Sequence, residues 1–203
     1  MILYEENRSL YLNLTNRCPV SCRFCVKTSW DYQFKSHDLR IQGPEPTIEE
    51  LLDALRDRVS NIGVWREVVF CGFGECVYRL AEMSAVGLHL KLHHPELKLR
   101  LNTVGLGNLI WGRDIAPELA LYLDEVSVSL NTSEPDQWLD LHRPAPMYRK
   151  EGFAASRRSA ERCVAAGIRT KVTAVALPEV DLKPLEYYAQ TIGAGFLARP
   201  VLV

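Results

Sequence analysis

Along the chain, apolar and polar residues alternate in short runs. Leu10, Leu12 and Leu14 alternate with Tyr11, Asn13 and Thr15, and Leu97, Leu99 and Leu101 with Lys98, Arg100 and Asn102. Val126, Val128 and Leu130 do the same with Ser127, Ser129 and Asn131. A period of two predicts strands with one apolar and one polar face. Strands are expected at 10–15, 67–71, 97–102, 125–131, 169–175 and 196–201, and helical periodicity falls between them at 48–60, 77–93, 115–123, 152–166 and 183–192. The first helix is the clearest, because Thr47 and Glu50 form a capping box and Ile48, Leu51, Leu52, Leu55 and Val59 share one face. Gly167 and Gly193 read as helix stops.

Six strands joined by helices imply right-handed βαβ crossovers. The expected fold is α/β: a partial (β/α)6 TIM-type barrel with parallel strands, formed by one domain over 1–203. A parallel strand buried on both faces is continuously apolar, so the alternation requires one wet face. The leucines and valines then lie under the helices, and the polar set lines a hydrated lumen able to hold a ligand. Ligand chemistry in such folds collects at the carboxyl ends of the strands.

At 203 residues, 47% apolar and a net charge of −1, the chain has the composition of an ordinary globular domain. Its charge implies neither a nucleic acid nor a membrane surface as partner. The opening Met-Ile-Leu-Tyr-Glu-Glu has no basic region followed by an apolar one, and no apolar run nears the roughly 20 residues of a membrane span. A cytoplasmic location is expected. Six unevenly spaced cysteines do not make a secreted disulfide scaffold, and a reducing compartment preserves thiolate ligands.

Three of those cysteines follow the first strand directly, in Arg17-Cys18-Pro19-Val20-Ser21-Cys22-Arg23-Phe24-Cys25. Zinc usually takes four ligands as two C-x2-C pairs, and the four-cysteine ferredoxin run is spaced differently. Three thiolates without an evident fourth suggest a cluster with one open iron, where a substrate can bind; a partial zinc site or unrelated thiols are the bland alternatives. The C-x3-C-x2-C run, with an aromatic residue before its last cysteine, resembles the fingerprint of radical S-adenosylmethionine (SAM) enzymes.

That resemblance implies a [4Fe-4S] cluster held by Cys18, Cys22 and Cys25, with SAM chelating the fourth iron. An electron from flavodoxin or ferredoxin then cleaves SAM to methionine and a 5′-deoxyadenosyl radical, which abstracts hydrogen from a substrate. After the second strand, Cys71-Gly72-Phe73-Gly74-Glu75-Cys76 resembles the Gly-Gly-Glu motif that receives the methionine amino group. Glycine is expected there so that backbone can approach the ligand. Two departures stand out: Cys76 replaces the usual proline, and Phe73 occupies the place of the first glycine unless the alignment runs through Gly72. Cys71, Cys76 and Cys163 read as packing thiols rather than a second cluster.

The resemblance further implies SAM contacts at Asn102, Ser129 and Asn131, with Phe24 beside the adenine; as isolated residues these are equally turn formers at strand ends. The stretch 27–43, with Trp30, Tyr32, Phe34, His37, Asp38 and Arg40, is long for a structureless loop and is either a cover for the cluster or a surface hairpin. Lys98, Arg100 and Arg143 are candidate contacts for a carboxylate or phosphate on a small polar substrate. His89, His93 and His94 read as a solvated helix end.

The chain is most similar to the small TatD family-associated radical SAM proteins. Leu-Tyr-Leu-Asn-Leu-Thr-Asn-Arg-Cys (10–18), Asp38-Leu39 with Glu45-Pro46-Thr47, and Val-Ser-Val-Ser-Leu-Asn followed by Arg143-Pro144 carry that likeness. It implies a functional association with a TatD-type hydrolase and no particular substrate. Other readings stay open: a glycyl-radical activating enzyme, a 7-carboxy-7-deazaguanine synthase-like enzyme, or a non-catalytic iron–sulfur protein.

Overall fold

The computed structural model describes residues 1–59 and 64–201; Ser60, expected to end the first long helix, lies outside them. In chain order the strands are β1 (Leu3–Glu6), β2 (Ser9–Leu12), β3 (Gln33–Phe34), β4 (His37–Asp38), β5 (Glu67–Phe70), β6 (Lys98–Thr103), β7 (Glu125–Ser129), β8 (Arg169–Val175) and β9 (Gly195–Arg199). The helices are α1 (Val26–Ser29), α2 (Ile48–Val59), α3 (Leu80–His93), α4 (Gly107–Trp111), α5 (Ala116–Leu119), α6 (Pro135–His142), α7 (Gly152–Ala165) and α8 (Lys183–Thr191). The main sheet runs β1-β2-β5-β6-β7-β8-β9, with all neighbours parallel except the antiparallel pair β1–β2. This is the expected partial barrel of six parallel strands, with an added edge strand.

The apolar faces lie where the alternation puts them. Leu10, Leu12, Leu14, Leu99, Leu101, Val126, Val128 and Leu130 are fully buried in one core with Leu51, Leu55, Met83 and Leu185 from the helices. The capping box of α2 is formed: Thr47 N–H donates to Glu50 Oε2 at 2.8 Å, and Glu50 N–H to Thr47 Oγ1 at 3.2 Å. Gly167 and Gly193 take the left-handed conformation that ends α7 and α8, with φ of +82° and +76°.

Several elements fall outside the sequence expectation, the short α4 among them. β1 is joined to β2 by Asn7 and Arg8, both at positive φ, a hairpin turn without the glycine that usually signals one. α6 begins at Pro135 in its first turn, where the missing N–H costs nothing. Residues 27–43 form α1 and the β3–β4 hairpin, and are anchored rather than structureless. Leu39 packs with Tyr4 and Phe73, its carbonyl accepts from Asn13 Nδ2 at 2.7 Å, and Tyr32 lies 5.8 Å from the Phe73 ring.

The polar faces form an ion-paired lumen. Arg100 donates to both carboxylate oxygens of Glu67 at 2.8 and 3.0 Å and to Asn102 Oδ1 at 2.7 Å. Lys171 holds Glu125 at 2.8 Å. The two ion pairs, with Lys98, Ser127, Arg169 and Leu197, line a cavity of about 470 Å³ at the amino ends of the strands.

Candidate functional site

The cysteine loop leaves the carboxyl end of β2 and is braced from two sides. On one side, Thr15 Oγ1 accepts the Arg17 N–H at 3.0 Å and Arg17 grips both oxygens of Glu45 at 2.9 Å. The buried Arg79 fastens the same corner by donating to Leu14 O, Pro46 O and Glu45. On the other side, the loop pairs with the end of α6. Ser21 N–H reaches His142 O at 2.9 Å, Arg23 N–H reaches Leu141 O at 2.9 Å, and Ala145 N–H reaches Pro19 O at 2.9 Å. Cys18, Cys22 and Cys25 are half-buried thiols on this fixed loop. Among the described residues no three His, Cys, Asp or Glu side chains converge on a point fit for a single metal ion. A cubane cluster needs no such convergence, because each thiolate binds a different iron. Burial pushes the Cys18 thiol up to about 12 and the Cys22 thiol higher, the protonated state from which metal binding displaces the protons.

His142 was not singled out by the sequence, yet it sits against this loop. Its ring is buried, stacked on Trp138 at 4.8 Å and edge-on to Phe24 at 5.8 Å. Burial holds it down at about 4, so it is neutral. Val175 N–H donates to Asn131 Oδ1 at 2.8 Å, which turns the Asn131 amide nitrogen toward His142 Nε2 at 3.1 Å. Nε2 is therefore the acceptor, and Leu130 O, 3.3 Å from it, is only a neighbour. The ring proton is then on Nδ1, 3.4 Å from Cys22 Sγ. Asn131, expected at SAM, thus has both polar atoms committed inside the protein.

The Gly-x-Gly-Glu turn closes over the cysteine loop. Glu75 N–H donates to Arg17 O at 2.8 Å, one residue before Cys18. A Cβ on Gly74 would lie 2.1 Å from Thr15 O, and one on Gly72 would lie 1.9 Å from Asn13 Oδ1. The protein's own chain is enough to require both glycines, whatever approaches the turn from outside. Phe73, the departure from the motif, turns to the apolar cluster with Tyr4 and Leu39.

The Glu75 side chain is buried, and its Oε2 accepts from Thr103 Oγ1 at 2.9 Å and Val104 N–H at 2.8 Å. Its Oε1 is buried with no partner. Desolvation raises the carboxyl to about 7 against those hydrogen bonds and a weaker one from the Val77 N–H. A buried oxygen without a donor of ordinary geometry costs about 1–3 kcal/mol, and a donor from outside the protein would satisfy it. An ammonium group fits it.

The other expected residues divide by position. Asn102 and Ser129 face the lumen on β6 and β7; Asn102 is engaged by Arg100, and Ser129 Oγ accepts from Arg199 Nη2 at 2.9 Å. Phe24 lies on the loop against His142. Lys98 and Arg100, expected as contacts for an anionic substrate, line the amino-end cavity, because the first residues of a parallel strand lie opposite its carboxyl end. Arg143 is exposed on the cluster side, and its carbonyl accepts the Ser21 N–H at 3.2 Å. Thr103, His142 and Arg199 carry no sequence signal, since hydroxyl, imidazole and guanidinium groups acquire these roles only through partners distant in the chain.

Fold and site together define a partial barrel with an iron–sulfur loop and a ligand-seeking carboxylate at the carboxyl ends of its strands. A profile of the Radical SAM superfamily matches residues 12–192, and the chain belongs to that superfamily. Members of that superfamily are enzymes whose cofactors are a [4Fe-4S] cluster and SAM. The partial-barrel fold is shared with SuiB from Streptococcus suis bound to its precursor peptide SuiA, at a TM-score of 0.71 and 15% identity over 98% of this chain and 40% of that one. A radical SAM methyltransferase from Sphaerobacter thermophilus aligns at 0.64 and 15% over 98% and 68%, and methylornithine synthase at 0.61 and 12% over 96% and 53%. The chain therefore spans about 40% of the length of SuiB. No curated protein matches the sequence. Among the described residues no helix is long and apolar enough to cross a membrane.

Proposed function

We propose that this chain, acting as a single radical SAM domain over 1–203, cleaves SAM reductively and abstracts hydrogen from a small, polar, anionic substrate. The observation that carries the reading is the orphaned, buried Glu75 Oε1, tied through its backbone to the cysteine loop. Cys18, Cys22 and Cys25 hold the cluster, and the SAM amino group meets Glu75. When bound, the pair supplies one-electron cleavage of the sulfonium and a 5′-deoxyadenosyl radical, driven by a low-potential donor such as flavodoxin or ferredoxin.

The chain's own residues do the rest. Glu75 orients by a charge-assisted bond, with Thr103 and Val104 fixing its carboxylate plane. His142 Nδ1–H donates to the Cys22 sulfur, a contact that tunes a thiolate ligand. Asn102 offers a short polar group to the ribose or methionine carboxylate, and Phe24 lies on the cysteine loop. The Leu10–Cys18, Glu45–Thr47 and Arg143–Pro144 segments support placement among the TatD family-associated proteins, with a TatD-type hydrolase as functional associate.

Anaerobic reconstitution tests the reading. It should give about four irons and four sulfides per chain, and 5′-deoxyadenosine should form with SAM and dithionite. Alanine at Cys18, Cys22 or Cys25 should abolish the cluster, while Cys163→Ala, on the buried face of α7, should retain it. A single bound zinc without a brown chromophore would rule the reading out.

A further inference from the structure

We propose that Arg199 is the anchor for a carboxylate or phosphate group on the substrate. Arg199 closes β9, the last strand, at the carboxyl end of the sheet. Its side chain enters the lumen, where Cys71, Arg100 and Tyr11 are its charged or ionisable neighbours. Nη2 donates to Ser129 Oγ at 2.9 Å, and that hydroxyl lies 3.3 Å from Thr173 Oγ1. Nε is buried and has no partner.

Among the described residues no carboxylate pairs with Arg199. Glu67 is taken by Arg100 at 2.8 Å and Glu125 by Lys171 at 2.8 Å, while Glu75 is held by Thr103 and Val104 and forms no ion pair with Arg199. Arg100 adds a second positive charge nearby, and burial works against the Arg199 cation, yet a guanidinium stays charged in proteins. An uncompensated buried charge is costly, and proteins keep one where an outside partner completes it. The planar fork of Arg199, with the Ser129 and Thr173 hydroxyls beside it, matches the paired oxygens of a carboxylate or phosphate. The sheet thus separates two specificities: Glu75 after β5 seeks a cation, and Arg199 on β9 seeks an anion.

This inference rests on the radical SAM reading for the word substrate, since the carboxylate of SAM is the other anion able to enter. The test uses the reconstituted protein and its Arg199→Met variant, with inorganic phosphate and acetate as probes, titrated calorimetrically with and without saturating SAM. Phosphate or acetate should bind the parent in the presence of SAM, and the variant should lose at least tenfold in that affinity. Its iron content and SAM affinity should stay within about twofold. Removing the unpaired charge should also raise the thermal midpoint of the anion-free variant by ~2–4 °C. Neither anion binding the parent, equal anion affinity in the two proteins, or a lowered midpoint would overturn the proposal. A tenfold loss of SAM affinity would overturn it too, assigning Arg199 to the cofactor. If the parent assembled no cluster and bound no SAM, the radical SAM reading would fall, while the SAM-free anion titration would still decide Arg199.

Discussion

Glu75 sets the pH behaviour of the site. Burial raises its carboxyl from 4.5 to about 7 in the SAM-free protein, opposed by donors from Val104 and Thr103. Between those values the folded protein binds more protons than the unfolded chain, so stability falls as pH rises from about 4.5 to 7. The same ionisation prepares the carboxylate for an ammonium. Glu75→Gln keeps an acceptor for Thr103 and Val104 but cannot ionise. It should stabilise the SAM-free protein at pH 8 by up to roughly 3 kcal/mol, the free-energy equivalent of the shift, and weaken SAM binding by about one to two decades, the loss of a charge-assisted hydrogen bond. Denaturation midpoints at pH 5 and pH 8 check the first effect, and calorimetric titration the second. A variant no more stable at pH 8 and equal in SAM affinity would show Glu75 to be a turn residue only.

At the scale of elements, α6 links the cluster loop to the sheet. Its eight residues end at His142, whose ring joins Cys22 to Asn131 at the end of β7 and, through Asn131, to Val175 on β8. A donor to a thiolate ligand stabilises the reduced cluster, which carries the extra negative charge. His142→Phe keeps the aromatic packing on Trp138 and removes that donor. The midpoint potential of the variant's cluster, followed by redox titration with electron paramagnetic resonance, should move to a more negative value, with iron content retained. An unchanged potential would make the contact one of packing alone. The strand alternation says nothing of this connection, because α6 is short and its signal is a proline in the first turn.

Across the whole molecule, the two ends of the lumen do different work. The amino end is closed by ion pairs, Arg100 with Glu67 and Lys171 with Glu125, and the carboxyl end carries unpaired groups, Glu75 Oε1 and Arg199 Nε. Arg100→Met should destabilise the protein by about 2–4 kcal/mol, since it strands a partly buried Glu67, and leave SAM affinity unchanged. Urea denaturation and a SAM titration separate the two; a large loss of SAM affinity at constant stability would place Arg100 in the site after all.

The sequence by itself determined the strand faces, the order of parallel strands, the capping box of α2, the glycine stops and the cysteine loop. Each is a local consequence of period, turn chemistry or ligand spacing, and needs no partner from elsewhere in the chain. It also marked Gly74 and Glu75, but not why the glycine is required: Thr15 O lies where its Cβ would be. Only the tertiary structure decided that Asn131 meets His142 and Val175, that Lys98 and Arg100 line the amino-end cavity, and that Arg199 has no counterion among the described residues. Those outcomes depend on which groups from distant segments meet in the lumen. Pairing consumes a charge or an amide without leaving a trace in the local sequence, so which polar residues remain free for function is settled only when the barrel closes.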